Sequence, residues 1–243
     1  MARGYREPIE KPRRFYKDVE VVAEDGGFAV RLDGRPVRTP KGGHLALPTR
    51  ALADQVAAEW AAQGEVLEIA GMHATRLANT AIEAIPSART ETADTVASYA
   101  ASDLLCYWAE APRALAERQQ ARWGPVLERI EAEAKLSFLR AAGIVHQPQP
   151  EPTLQRVREI ALTLDDFGLA GLAFGAGLFG SAILSIALQR GWLGGEQAFE
   201  LSRLDEGFQE EQWGIDEEAA ERTQRLRLEA LMLERWFKGL SQA

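Results

Sequence analysis

The chain has 243 residues and a formal net charge of −8, from 28 Lys and Arg against 36 Asp and Glu, with 46% apolar and 26% charged residues. That length holds one large domain or two small ones, and the composition is that of a globular protein able to bury a core. The acidic balance disfavours a nucleic-acid partner, the single cysteine Cys106 excludes an internal disulfide, and the three histidines His44, His73 and His146 leave little from which to build a metal site.

The first seventeen residues carry charges and prolines and lack the apolar stretch of a secretory signal, so a soluble protein of a reducing compartment is expected. Residues 15–23 have strand-forming composition and end at the turn Asp25-Gly26-Gly27. Phe28, Val30 and Leu32 then alternate with Ala29 and Arg31, the period of a half-buried strand. Asp33-Gly34 predicts a two-residue hairpin turn, because both central positions favour positive φ. A short return strand over 37–39, with Pro36 marking an edge, and another over 44–47 complete the β part.

Leu52, Val56 and Trp60 recur at helical spacing, and Gly64 stands where that helix would stop. A second helix is expected over 75–85, ended by Pro86. Beyond Ser87 only helix signals appear. They cover 90–108, 112–138 with an interruption at Gly124-Pro125, 153–167, 169–190, 196–212 and 215–237. Three prolines over 145–152 mark an extended connection. The expected fold is therefore α+β: a small β-rich N-terminal domain with one or two helices over 1–86, followed by a larger all-helical C-terminal domain over 87–243.

Three features bear on chemistry. Gly175, Gly177 and Gly180 spell G-x-G-x-x-G, which in a dinucleotide site lets backbone approach a pyrophosphate at a helix N-terminus. That motif needs a strand before it, and the strands found here lie far upstream; the alternative reading, a nucleotide-binding enzyme, rests on this loop alone. Residues 169–188 contain no charge across 20 positions, the length of a membrane span, but five Ala, four Gly and two Ser among them fit a buried central hairpin or kinked helix better. Third, eight acids fall between Asp205 and Glu221, interrupted by Phe208 and Trp213. No Glu-x-x-His accompanies them, and the calcium-loop spacing is absent, so neither a di-iron nor a calcium centre is expected. Acids around an aromatic suit a protein contact, in which the ring anchors and the charges steer. Cys106 stands in an apolar segment and reads as a buried structural thiol, His73 as a capping or packing residue.

The order of motifs resembles the ATP synthase F1-complex assembly factor 2 family. The resemblance runs through Arg14-Phe-Tyr-Lys17, Leu32-Asp-Gly-Arg-Pro36, Ala58-Glu-Trp60, Met72-His73, Thr75, Leu77-Ala-Asn-Thr-Ala81, Asp103-Leu-Leu-Cys-Tyr107, Gln120, Trp123, Ser202-Arg-Leu-Asp-Glu206 and Trp213-Gly214. The short segment before Arg14 and the Ile-Asp-Glu-Glu-Ala that follows Gly214 are those of bacterial-type members. The resemblance implies a non-enzymatic chaperone without cofactor or metal, whose partner is the unassembled F1 α subunit. It implies a monomer, not inserted in a membrane, in the bacterial cytoplasm, or in the mitochondrial matrix if the chain is a mature eukaryotic form. It also implies that Asp205, Glu206 and Glu210, with Trp213, face the partner, and that Trp60 holds the N-terminal domain together.

Overall fold

The computed structural model of the chain describes residues 11–143, 146–214 and 217–241, without the side chains of Glu217 and Glu218. The readings made above for residues 1–10, for Ile215 and Asp216, and for the carboxylates of Glu217 and Glu218 lie outside the described residues.

Strands β1 (Val19–Glu24) and β2 (Gly27–Leu32) form an antiparallel hairpin with Val19 opposite Leu32 and Glu24 opposite Gly27. Two-residue strands β3 (Arg35–Pro36) and β4 (Ala46–Leu47) both pair with β2. The Asp33-Gly34 turn has positive φ at both positions, as its sequence predicts. Asp33 also accepts hydrogen bonds from the Lys17 and Asp18 amides, tying the turn to the entering chain and holding its carboxyl below the usual range. Gly27 is irreplaceable on steric grounds: a Cβ there would stand 2.3 Å from the Leu47 carbonyl oxygen of β4.

Helix α1 (Arg50–Ala61) covers this sheet with Leu52, Ala53, Val56 and Trp60, and Thr49 caps its N-terminus by accepting from the Leu52 amide. Trp60 is 9% exposed and meets the Tyr16 ring edge-on at 5.7 Å. The Tyr16 hydroxyl donates to the Trp60 carbonyl at 2.7 Å. Arg14 donates to the Ala61, Gln63, Tyr16 and Lys17 carbonyls, which fixes the segment before β1 across the end of α1. Beside Trp60 in the sequence, Glu59 accepts from the Ala74 and Thr75 amides and the Thr75 hydroxyl, at 2.7–2.8 Å. A side chain of α1 thus caps helix α2 (His73–Glu83), which has no cap of its own.

Helix α2 ends at Glu83, two residues before the end expected from Pro86, and the next helix takes up the proline. It sits in the first turn of α3 (Ile85–Ala101), where a missing amide N–H costs nothing. Helix α4 (Arg113–Ala134) likewise runs through Gly124-Pro125 without interruption. Pro125 lies on the exposed face, as does Ala121 one turn before it, while Trp123, Val126 and Leu127 pack the other side. The expectation of helix alone beyond Ser87 also fails in one place: β5 (Tyr107–Trp108) and β6 (Ala141–Ala142) form a parallel pair, each too short to show a period. Helix α5 (Glu151–Leu162) follows.

The expected helix over 169–190 is two, α6 (Asp166–Phe179) and α7 (Ala182–Gln189), divided by Gly180 at φ 62° and by Ser181, which caps α7. Residues 182–188 are all buried, so this pair forms the centre of the helical part. Among the described residues no helix is long and apolar enough to cross a membrane. Helices α8 (Gly195–Ser202), α9 (Leu204–Trp213) and α10 (Glu217–Leu240) complete the chain; α8 and α9 divide at Arg203 what the sequence pattern joined. The fold is α+β, and one apolar core runs from Tyr16 to Phe237. Contacts cross residue 86: the Thr49 hydroxyl donates to the Gly239 carbonyl at 2.9 Å, and the Gln55 amide to that of Met232 at 3.2 Å.

At the centre Asp103 is fully buried. Its carboxylate accepts from the Ser181 hydroxyl at 2.6 Å, the Ile183 amide at 3.0 Å and the Leu105 amide at 3.2 Å. Burial outweighs these donors and raises its pKa from 3.8 to about 6. The native state therefore holds the proton more tightly than the unfolded chain does. The stability this confers is complete below pH 4 and lost as pH rises through 6. Between pH 4 and pH 7 the wild type should lose about 2 kcal/mol relative to Asp103→Asn in urea denaturation; a difference independent of pH would contradict the raised pKa. Trp60→Arg puts an unpaired cation against Tyr16 and should cost about 4 kcal/mol or more, read as loss of the cooperative thermal transition.

Candidate functional site

Gly175, Gly177 and Gly180 do not form a phosphate loop. The first two lie inside α6 and the third closes its C-terminus, the end that carries partial negative charge. A helix rather than a strand precedes them, and the segment beyond leads to the buried Asp103 carboxylate. The nucleotide-enzyme alternative is thereby overturned. Gly175 serves packing: a Cβ there would stand 2.8 Å from the Leu233 Cδ2.

Cys106 is buried, and burial together with the nearby Asp103 carboxylate pushes its thiol far up, so it is not a nucleophile. His73 Nδ1 stands 3.2 Å from a Glu229 carboxylate oxygen and links α2 to α10, while His146 meets the Tyr107 hydroxyl at 2.9 Å. No group of acids, histidines or cysteine among the described residues could hold a metal ion.

The acidic segment is where exposure, charge and open volume coincide. Helix α9 is two-sided, and the i, i+3, i+4, i+7 spacing sorts its residues. Leu204, Asp205, Phe208 and Glu211 turn toward α4 and α8. Leu204 and Phe208 are buried, and the Asp205 carboxylate accepts from Gln119 Nε2 at 2.7 Å. Glu211 receives two hydrogen bonds from Arg118, at 2.7 and 2.8 Å, and its pKa is lowered by them. The Arg118 guanidinium also lies over the Phe208 ring, 5.0 Å from its centroid. Asp205 differs from Glu211 in kind: partial burial raises its pKa, and the Gln119 hydrogen bond only partly offsets this.

The other side of α9 presents Glu206, Gln209, Glu210 and Trp213 to a cleft. Glu210 is engaged by Arg203 at 2.7 Å. Glu206 is exposed and has no hydrogen bond or ion pair among the described residues. Trp213 is 84% exposed, the most exposed large apolar side chain described. From this rim the cleft, about 1100 Å³, runs between α9 and the first turns of α10, past Arg222, Arg225 and Leu226. It opens into a second hollow of about 810 Å³ floored by Phe174 and Leu178 of α6. So of the four residues expected to face a partner, Glu206, Glu210 and Trp213 come together on the cleft and Asp205 holds α9 in place.

Sequence reading missed the residue that Asp205 depends on. Gln119 is fully buried, accepting from the Ala109 amide at 2.7 Å while donating to Asp205. The motif pointed instead to Gln120, which is exposed. The signal was available: Leu115, Gln119, Trp123 and Leu127 repeat every fourth residue, which puts Gln119 on the apolar stripe. Phe174, Leu178, Arg222 and Leu226 come from distant parts of the chain and carry no local signature.

The family model described as "ATP12 chaperone protein" matches residues 13–131. Solved structures agree over nearly the whole chain. The Atp12 of Paracoccus denitrificans is 39% identical, with a TM-score of 0.85 covering 93% of this chain and 97% of that one. An aspartate-to-lysine variant of the same protein matches equally well, at 38% identity and TM-score 0.85. The mitochondrial Atp12 protein of Schizosaccharomyces pombe is 27% identical over 229 residues, covering 88% of this chain and 78% of that one. The chain belongs to the Atp12 chaperone family.

The two-sided α9 separates two neighbouring acids experimentally. Asp205→Ala leaves the Gln119 amide unpaired in a largely buried place and should lower unfolding free energy by about 1–2 kcal/mol. Glu206→Ala should change it by no more than about 0.5 kcal/mol. Equal costs at the two positions in chemical denaturation would contradict this division.

Proposed function

We propose that this protein is an assembly chaperone of the ATP synthase F1 complex, that it binds the unassembled F1 α subunit, and that it does so on the face formed by α6, α9 and α10. Membership of the Atp12 chaperone family supports the chaperone part of this reading. The observation that carries the surface is Trp213, an indole 84% exposed on an acidic helix at the rim of an apolar-floored cleft. A large aromatic left in water beside unpaired charge suits an anchor that becomes buried on binding.

The physics requires no catalysis. A subunit destined for a ring exposes broad apolar contact surfaces before its neighbours arrive, and such surfaces aggregate. A protein that covers one of them lowers the free concentration of the aggregating species by mass action alone. An interface of about 1,200–2,000 Å² suffices for a stable complex. On this reading Glu206 and Trp213 contact the client, whereas Asp205, with Gln119, fixes the helix that presents them. The protein works where F1 is assembled, in the bacterial cytoplasm or the mitochondrial matrix.

Light scattering of isolated F1 α subunit tests the proposal. Near-stoichiometric wild-type protein should suppress aggregation, and Glu206→Lys should weaken binding about tenfold with an unchanged melting temperature. Normal binding by Glu206→Lys would remove that residue from the interface; no suppression by the wild type would overturn the reading.

A further inference from the structure

Helix α6 is apolar almost all round, yet the described chain covers only part of it. One face is closed by the molecule itself. A Cβ at Gly171 would stand within 3.0 Å of the Phe237 and Trp236 rings, and one at Gly175 within 3.0 Å of Ser185 and Leu233. The stripe of Ala173, Phe174, Gly177 and Leu178 is different: these residues are half-buried or exposed and floor the hollow beside α9 and α10. Ala173 and Phe174 also line a cleft of about 840 Å³ on the far side, between α2 and α3, so the trough continues across α6. At Gly177 a Cβ would meet only the Tyr99 side chain, at 3.4 Å and beyond, so nothing inside the molecule requires a glycine there.

The walls of this trough carry charges with no partner. Glu206 stands on the α9 wall and Arg222 on the α10 wall, both lining the hollow and the outer cleft, and neither has an ion pair among the described residues. Of the other charged groups that line the hollow, Arg203 is paired with Glu210, and Glu229 stands 3.2 Å from His73 Nδ1. Glu221 and Arg225 stand only in the outer cleft. A uniformly apolar occupant would bury Glu206 and Arg222 unpaired, at a cost that would offset its apolar contacts. The α9 and α10 walls are helices, and β5, which contributes Tyr107, is only two residues long and already paired with β6, so it offers an extended segment almost no edge. An extended segment lying there would leave its backbone N–H and C=O groups unsatisfied over an apolar floor, whereas a helix satisfies its own.

We infer that the occupant of this trough is one amphipathic α-helix of the client, apolar along the face laid on Phe174 and Leu178, with a cation on its edge toward Glu206 and an anion on its edge toward Arg222. The opposite charges set the direction in which that helix lies. The inference rests on the chaperone reading above and specifies what part of the client is held.

The test uses the full chain and isolated F1 α subunit. Gly177→Leu should fold normally, since its Cβ has room, and should weaken α binding at least about tenfold by filling the floor. Arg222→Glu, on an exposed position, should do the same with an unchanged melting temperature, and it carries the test if Gly177→Leu proves unstable. Hydrogen exchange on the α subunit in the complex identifies the occupant. Protection in a helix with an apolar stripe between opposite charges supports the inference. Wild-type affinity in both variants, or protection confined to strands and loops of α, overturns it. In either of those cases the wild type still binds α, so the chaperone reading stands; if the wild type itself binds no α, that reading fails first.

Discussion

A carboxylate with no ion-pair partner among the described residues, Asp103, is buried between the segment that follows α3 and the start of α7. It receives the Ser181 hydroxyl and the Ile183 amide from the start of α7, and the Leu105 amide from its own turn. The positive end of the α7 dipole favours a negative charge there, and burial opposes it. The balance is a group that remains expensive to ionise and yet is fully hydrogen-bonded. Geometry explains why the fold keeps it. The same contacts fix the reversal between α6 and α7 and set the segment that follows Asp103 against Gly180, whose carbonyl accepts from the Leu104 amide at 3.3 Å. Leu104, Tyr107, Phe179 and Gly180 all line the trough, so one end of its lining is positioned by this buried group.

Polar side chains capping a helix from elsewhere in the sequence recur through the molecule. Glu59 caps α2 from α1, and Glu234 of α10 accepts from the Gly195 amide at the start of α8 at 2.7 Å. Each cap converts an orphaned helix end into a tertiary constraint. The scattered motifs of the sequence become intelligible in this light. Ala58-Glu-Trp60 and Thr75 are separate in the chain but form one contact, in which Glu59 holds α2 while Trp60 closes the sheet. Leu32-Asp-Gly-Arg-Pro36 and Arg14-Phe-Tyr-Lys17 meet in the same way through Asp33.

Local signals exposed much of this architecture. The α1 stripe, the Asp33-Gly34 turn and the charge-free run that became α6 and α7 follow from spacing and residue type alone. Local rules failed where a tertiary partner decided the outcome. Pro125 reads as a break but falls on an exposed face of α4, whereas the helix end expected at Pro86 comes two residues earlier. The acids of α9 looked alike in sequence, and their roles separate only because Gln119 and Arg118 of α4 claim one side of the helix. The trough is not legible in the sequence, because its floor and two walls come from three separate helices, α6, α9 and α10, that no period connects.

On the proposed function the α6, α9 and α10 face is the working surface and the strand end has a structural part. Two exposed aromatic side chains mark those alternatives: Trp213 at 84% on the trough rim, and Phe15 at 72% beside the sheet. A photo-crosslinking amino acid placed at each position in turn, in complex with isolated F1 α subunit, compares them directly. A covalent adduct with α is expected from position 213 and none from position 15. An adduct from position 15 alone would contradict that placement of the working surface.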